Sequence, residues 1–343
     1  MTTVETVPPE PAAGAGAGRG RGRVGLAFFV QDARSAVDLV QRAEEAGVGT
    51  AWMVMHPAGY DSPTLAAAAL AATSRIRVGS SIVPALTRHP VALATQVVAL
   101  AELAPDRFRL GIGTSNVTLL EEGFGTPLPH PIATMREYID VLRAAFDTGV
   151  VDHQGPTYRV NLQLVAPPAA RSGPMPVTLA ALGPRMFELA GQRADAAMSW
   201  TCPPAYIEAV ARPALARGAA AAGRPAPPIL THVSAVVATD AATAREVARP
   251  ALVAFGRNPQ YARMFAGAGM PVASDGTPSD ALVDSITVYG DEAALTDRLG
   301  TLAEEHDELV VTLESSGADR RSDEDTLLRA LANVTAALGP GPR

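Results

Sequence analysis

From Val24 onward, short apolar runs alternate with stretches whose apolar residues recur every three to four positions, and the cycle repeats eight times. The short runs read as buried strands and the periodic stretches as amphipathic helices. Strands are predicted at Val24–Phe29, Thr50–Val54, Ile76–Val83, Phe108–Gly113, Val177–Ala181, Ala194–Trp200, Ile229–Ala238 and Glu308–Leu313. The helical pattern covers Asp32–Ala46, Pro63–Ala72, Pro90–Leu103, Thr134–Phe146, Pro184–Gln192 and Ala205–Ala221, then a helix opening near Ala241, Glu292–His306 and a closing helix at Asp323–Leu338. In the first helix Ala36, Leu39, Val40 and Ala43 share one face, and Gly47 stops it.

Strands that are apolar throughout, each followed by a helix, call for a parallel sheet covered by helices, and eight such units close into a (β/α)₈ TIM barrel. A doubly wound open sheet is the competing architecture, but no glycine fingerprint follows the first strand, where Val30-Gln31-Asp32-Ala33 stands. The expected organisation is one barrel domain over 23–340 behind a disordered leader at 1–22, rich in Pro, Ala and Gly. Three insertions break the rhythm, at 114–133, 150–176 and 256–284; the second contains a candidate hairpin from Val150 to Val165. The third carries Tyr261, Met264, Phe265 and Met270, which suit either a cover over an apolar substrate or a dimer contact.

Composition removes several classes of chemistry. All 28 basic residues are arginine, so neither a Schiff-base lysine nor a P-loop lysine exists. Cys202 is the single cysteine, which excludes an intrachain disulfide and a Cys-rich metal site and suits a reducing, cytoplasmic setting. The net charge of −7 is dispersed and gives no nucleic-acid footprint. No apolar run suggests a signal peptide or membrane anchor. HExxH, CxxC, GxSxG and GxxxxGK[ST] are all missing, and no carboxylate pair stands at the strand ends. No metal site is expected.

In a barrel of this type, chemistry is built just past the C-terminal ends of the strands. Those positions are Phe29-Val30-Gln31, Met55-His56, Ser80 to Pro84, Thr114-Ser115-Asn116, Ala181-Leu182-Gly183, Trp200-Thr201, Ser234 and Glu314-Ser315. His56 suits acid–base work near neutral pH, and equally suits a loop histidine satisfied by its neighbours. Ser80 and Ser81 interrupt an aliphatic strand, allowing either close approach of a ligand ring or a bulge. His89 precedes Pro90 and reads as a helix cap as readily as a catalytic group. Gly183 followed by Pro184 leaves helix N–H groups facing the mouth, a seat for phosphate.

The run RIRVGSSIVPALTRHPVALATQVVALAELAPDRFRLGIGTSN, from Arg75 to Asn116, resembles the luciferase-like flavin and deazaflavin oxidoreductases. TMREYIDVLRAAF (Thr134 to Phe146), ALGPRMFELAGQRADAAMSW (Ala181 to Trp200) and VYGDEAALTDRLGTLAEEHDELVVT (Val288 to Thr312) are similar to the same family. The resemblance leans toward the branch that uses the deazaflavin coenzyme F420, with FMN as the alternative cofactor. It implies a hydride-transfer enzyme with His56 at the reactive face of the ring. It also implies a cis peptide at Ser81-Ile82 backing the ring, with Thr114 beside it, and a phosphate loop of Ala181, Leu182, Gly183 and Pro184. Asn116 and Trp200 would shape the substrate pocket, and a homodimer is expected. Met55 replaces an acidic residue frequent in the family, and Asn116 a glutamate of its sugar-phosphate dehydrogenases. With lysine missing as well, the expected substrate is a small, unphosphorylated molecule. An FMN-dependent monooxygenase and a non-catalytic flavin-binding protein are the alternatives.

Overall fold

The computed structural model describes residues 23–166, 173–317 and 319–339. The leader and the proline-rich residues 167–172 lie outside that set. In chain order the first half runs β1 (Arg23–Phe29), α1 (Ala33–Ala46), β2 (Thr50–Val54), α2 (Ser62–Ala71), β3 (Arg77–Ser80), β4 (Val83–Pro84), α3 (Pro90–Leu103), β5 (Phe108–Gly113), α4 (Val117–Phe124), α5 (Pro131–Thr148), β6 (Val150–Gln154) and β7 (Arg159–Gln163). It continues with β8 (Val177–Ala180), α6 (Pro184–Arg193), β9 (Ala196–Ser199), α7 (Pro204–Tyr206), α8 (Arg212–Ala221), β10 (Ile229–Val237), α9 (Ala241–Gly256), α10 (Pro259–Gly267), α11 (Asp280–Ile286), β11 (Thr287–Gly290), α12 (Glu292–Glu305), β12 (Glu308–Glu314) and α13 (Arg320–Leu338).

Strands β1, β2, β3, β5, β8, β9, β10 and β12 pair in that order, all parallel, and β12 returns to β1, closing an eight-stranded TIM barrel. Helix starts follow local chemistry. Asp32 caps α1 by accepting from the N–H groups of Arg34 and Ser35, and Gly47 ends the helix at φ 98°. Asp61, Asp240 and Asp291 cap α2, α9 and α12 in the same way.

The main core lies between the barrel and its helices, and a second, smaller one fills the barrel interior with Ala27, Trp52, Ala196, Met198, Leu230 and Val310. Alternation along the strands sends Gly25, Gly79 and Gly111 to the same interior. Trp52 takes up the room: a Cβ on Gly79 would lie 2.2 Å from its ring. Below it, the Arg109 guanidinium stacks 4.4 Å from the Trp52 ring centroid and makes two bonds to Glu308, at 2.5 and 2.9 Å. Since β5 and β12 stand opposite each other in the strand order, this buried ion pair crosses the barrel floor.

Four features depart from the sequence pattern. The third strand, expected from Ile76 to Val83, is broken into β3 and β4 because the Ser81–Ile82 peptide is cis. The Gly- and Pro-rich stretch after β5 contains α4. The helix expected at Ala205–Ala221 holds a π turn at Ile207–Ala211, just before Pro213, whose ring cannot accept ordinary α spacing against the carbonyl four residues back. Finally β11, unpredicted, pairs with the upper part of β10. The hairpin within Val150–Val165 is present as the antiparallel pair β6–β7.

Candidate active site at the barrel mouth

Five consecutive staves bring the expected residues to one rim. At the end of β3 the cis Ser81–Ile82 bond turns the chain across the mouth. The Ser81 N–H donates to the Met53 carbonyl at 2.8 Å, and the Ser81 hydroxyl donates to Met198 Sδ at 3.1 Å. Below, the Ser80 hydroxyl donates to the Gly111 carbonyl and accepts from its N–H, both at 2.9 Å. Ser81 is therefore tied both to the adjacent stave β2 and across the mouth to β9. Ile82, half-buried, faces Gly113 and Ala180: a Cβ on Gly113 would fall 2.9 Å from the Ala180 Cβ and 3.3 Å from Ile82. These three residues form a smooth apolar shelf that any larger residue at 113 would destroy.

Beside the shelf, Ala180 leads within three residues to the N-terminus of α6. The Ala181 N–H donates to the Met198 carbonyl at 2.9 Å, and the Leu182 carbonyl accepts from the Tyr206 hydroxyl at 3.1 Å. Gly183 is the N-cap, extended at φ −89° and ψ 156°, and has no side-chain cap. A Cβ placed on it would meet nothing within 4 Å among the described residues. Gly183, Pro184 and Arg185 are all exposed. The end of the helix dipole therefore opens to solvent at the shelf's edge.

His56 stands exposed past β2 and bonds within its own turn, where Nδ1 accepts from the Ala58 N–H at 3.2 Å. In the neutral ring Nε2 then carries the proton. Thr114 is half-buried after β5, Ser115 adopts φ 57°, and the Asn116 carbonyl accepts from the Leu120 N–H at the start of α4. Trp200 closes the rim from β9, with Phe29 edge-on at 6.2 Å. His89 caps α3, its Nδ1 accepting from the Val91 N–H at 3.2 Å.

Two further staves contribute: β12 through Glu314, one of the strand-end positions, and β10 through His232, which the strand-end positions did not include. His232, inside β10, stacks on Trp200 with centroids 3.9 Å apart. Its Nδ1 accepts from the Thr201 N–H at 3.2 Å, so Nε2 bears the proton and donates to the Thr312 hydroxyl at 2.8 Å. Complete burial pushes its pKa down to about 3, keeping the ring neutral. The ring thus supports both the Trp200 indole and Thr201, which sits at φ 48°. Glu314 ends β12 and hydrogen-bonds Ser234; burial pushes its pKa up to about 6 against the opposing effects of Ser234 and Arg320. The signal for His232 lay in strand alternation, which puts Leu230, His232 and Ser234 on one face.

The sequence model of the luciferase-like monooxygenases matches residues 6–323. The chain belongs to the luciferase-like monooxygenase family. Among curated relatives, an F420-dependent glucose-6-phosphate dehydrogenase of Nocardia farcinica is 30% identical over 207 residues, covering 56% of this chain and 60% of its own. The curated relatives are matched over 38% to 60% of their length. Of solved luciferase-like folds, an F420-dependent secondary alcohol dehydrogenase bound to an F420–acetone adduct superposes with a TM-score of 0.74 at 17% identity, covering 93% of this chain and 100% of that one. EDTA monooxygenase from Chelativorans sp. BNC1 gives 0.71 at 15%, covering 93% and 95%. These two likenesses show the fold. No helix among the described residues is long and apolar enough to cross a membrane.

Proposed function

We propose that this family member is an oxidoreductase that uses coenzyme F420 to move a hydride to or from a small, unphosphorylated organic substrate. The observation that carries the reading is the apolar shelf of Ile82, Gly113 and Ala180 with an uncapped helix N-terminus three residues from its edge. A flat ring carrying a phosphate chain needs that combination: an unobstructed surface, and backbone N–H groups aligned with a helix dipole. The names of the curated relatives, among them an F420-dependent dehydrogenase, support the same choice of cofactor.

Ser81, Ile82 and Thr114 would hold the ring, and Ala181 to Pro184 the phosphate. When bound, the deazaflavin supplies a hydride donor or acceptor at its central ring carbon. The chain's own part is orientation, exclusion of water and proton handling. His56, exposed beyond β2, would give or take the substrate proton. Trp200, fixed by His232, and Phe29 wall the substrate space with aromatic surface, which favours an apolar molecule. Asn116 would add a polar contact. C=C, C=N and C=O reduction and alcohol oxidation all fit these roles.

Fluorescence titrations with F420 and with FMN test the proposal. The Kd for F420 is expected to lie well below that for FMN. FMN binding without an F420 response would replace it with a flavin monooxygenase, and silence toward both would favour a non-catalytic protein. His56→Ala is expected to retain F420 and lose turnover by about 10²-fold or more; full turnover would remove His56 from the chemistry.

A further inference from the structure

Alternation orders the lining of the barrel up to its mouth. On β12 the residues Glu308, Val310, Thr312 and Glu314 share one face, and the first three reach the interior. Glu308 bonds Arg109, Val310 packs in the inner core and Thr312 meets His232. Glu314 is the next inward side chain, one layer above Thr312. The neighbouring stave keeps the same step: His232 reaches Thr312, and Ser234, two residues further along β10, hydrogen-bonds Glu314. On the other side β1 pairs Ala27 with Thr312, so Phe29 and Glu314 come abreast two residues higher. Phe29 stands edge-on to Trp200 at 6.2 Å, and Trp200 lies on the His232 ring.

A carboxylate at this place is short of counter-charge. Glu314 is half-buried and makes no ion pair with a described residue. Arg320, at the head of α13, acts on it through its field, and that guanidinium bonds Glu324 at 3.2 Å. Asp323 takes the hydrogen bond of the adjacent Ser315 at 2.6 Å, and the buried His232 ring is neutral. Burial outweighs Ser234 and Arg320 and pushes the Glu314 pKa up to about 6, so the chain supplies too little positive charge to match this carboxylate. Phe29 and Trp200 add aromatic surface, which itself attracts a cation.

We propose that Glu314 is the counter-ion for a cationic nitrogen at the mouth, and that the substrate is an apolar protonated imine reduced to an amine. The substrate role rests on the hydride-transfer reading above; the binding role does not. The hydride bonds to carbon as the C=N π pair withdraws to nitrogen, so the cation becomes a neutral amine, with the reduced deazaflavin as the source of the electron pair. The same carboxylate repels substrates that carry phosphate or carboxylate groups.

The probes are cyclohexylammonium, which like a lysine side chain stays charged between pH 5 and 8, and the neutral cyclohexanol, added to the full chain in calorimetric titrations. At pH 8 the parent is expected to bind the ammonium at least about tenfold more tightly than the alcohol. The preference is expected to shrink at pH 5, as Glu314 takes up its proton. The exposed His56 also becomes cationic in acid, and Glu314→Gln separates the two effects. At pH 8 that variant is expected to bind both probes alike, with its Tm unchanged or raised. The proposal is overturned by equal affinities in the parent at pH 8, by a preference undiminished at pH 5, or by one that survives Glu314→Gln. F420 titration of the same samples tells failure of this site from failure of the cofactor reading. F420 binding without an ammonium preference removes the Glu314 site and leaves the cofactor. An ammonium preference without F420 binding keeps Glu314 as a counter-ion and overturns the reduction.

Discussion

Glu314 and His232, on adjacent staves of the barrel wall, respond to acid in opposite senses. The Glu314 pKa is raised to about 6 from 4.5, so the folded state holds the proton more tightly than the unfolded one. Its ionisation costs stability above about pH 6, and the cost disappears below pH 4.5. Glu314→Gln is therefore expected to raise stability by up to about 2 kcal/mol at pH 8 and to change little at pH 4. His232 has its pKa lowered from 6.5 to about 3, so the unfolded chain takes up a proton that the fold refuses. Stability from this group is complete above pH 6.5 and is lost as pH falls toward 3. His232→Gln, able to meet both Thr201 and Thr312, is expected to flatten that acid limb; urea titrations from pH 4 to 8 separate the two effects. His56 was visible in the sequence because it follows an apolar strand directly. His232 was not, because it is polar within the strand, and only its shared face with Leu230 and Ser234 marks it as inward.

At the scale of elements, the N-terminus of α6 separates a stability effect from a binding effect. Gly183 has an extended conformation open to any residue and free space around its Cβ position. Gly183→Asp would supply the missing cap, raising stability by about 0.5–1 kcal/mol. The same carboxylate would repel a phosphate at that place, and F420 affinity is expected to fall at least tenfold. A thermal melt and a cofactor titration on one variant read both signs; unchanged affinity would move the phosphate elsewhere. Elements punctuated by Pro, Gly or Asp were legible: β2, α3 and β5 occupy their predicted bounds. Those that went unseen lacked such marks. β11 is four residues long with alternating burial, beside a stretch of short helices, and α4 sits among glycines and prolines that argue against a helix. The break between β3 and β4 comes from the cis Ser81–Ile82 bond, which the family resemblance implied and hydrophobic periodicity alone does not show.

For the whole molecule, counting apolar runs was enough to indicate eight staves and closure, because a parallel strand must be buried on both faces. It could not indicate what fills the middle. Trp52 does so, against glycines on the neighbouring strands, and the Arg109–Glu308 pair supports it from below. Glu308→Met leaves Arg109 without its carboxylate and is expected to cost about 3–5 kcal/mol in urea unfolding, and Arg109→Met, which leaves Glu308 with the charge of Arg77, is expected to cost less. Replacing both with apolar residues is expected to recover most of that loss. If the two single losses simply add in the double variant, the pair does not act as a unit.

That strut also imposes an order in time. Arg109 belongs to the fourth stave and its carboxylate to the eighth, 199 positions later in the chain. Until the last stave arrives Arg109 lacks Glu308, and only closure of the barrel takes the two charges out of water together. The strut is thus formed in one late step, as the eighth stave closes on the fourth. Protease resistance during refolding should accordingly appear all at once in the parent, and in stages once both charges have been removed.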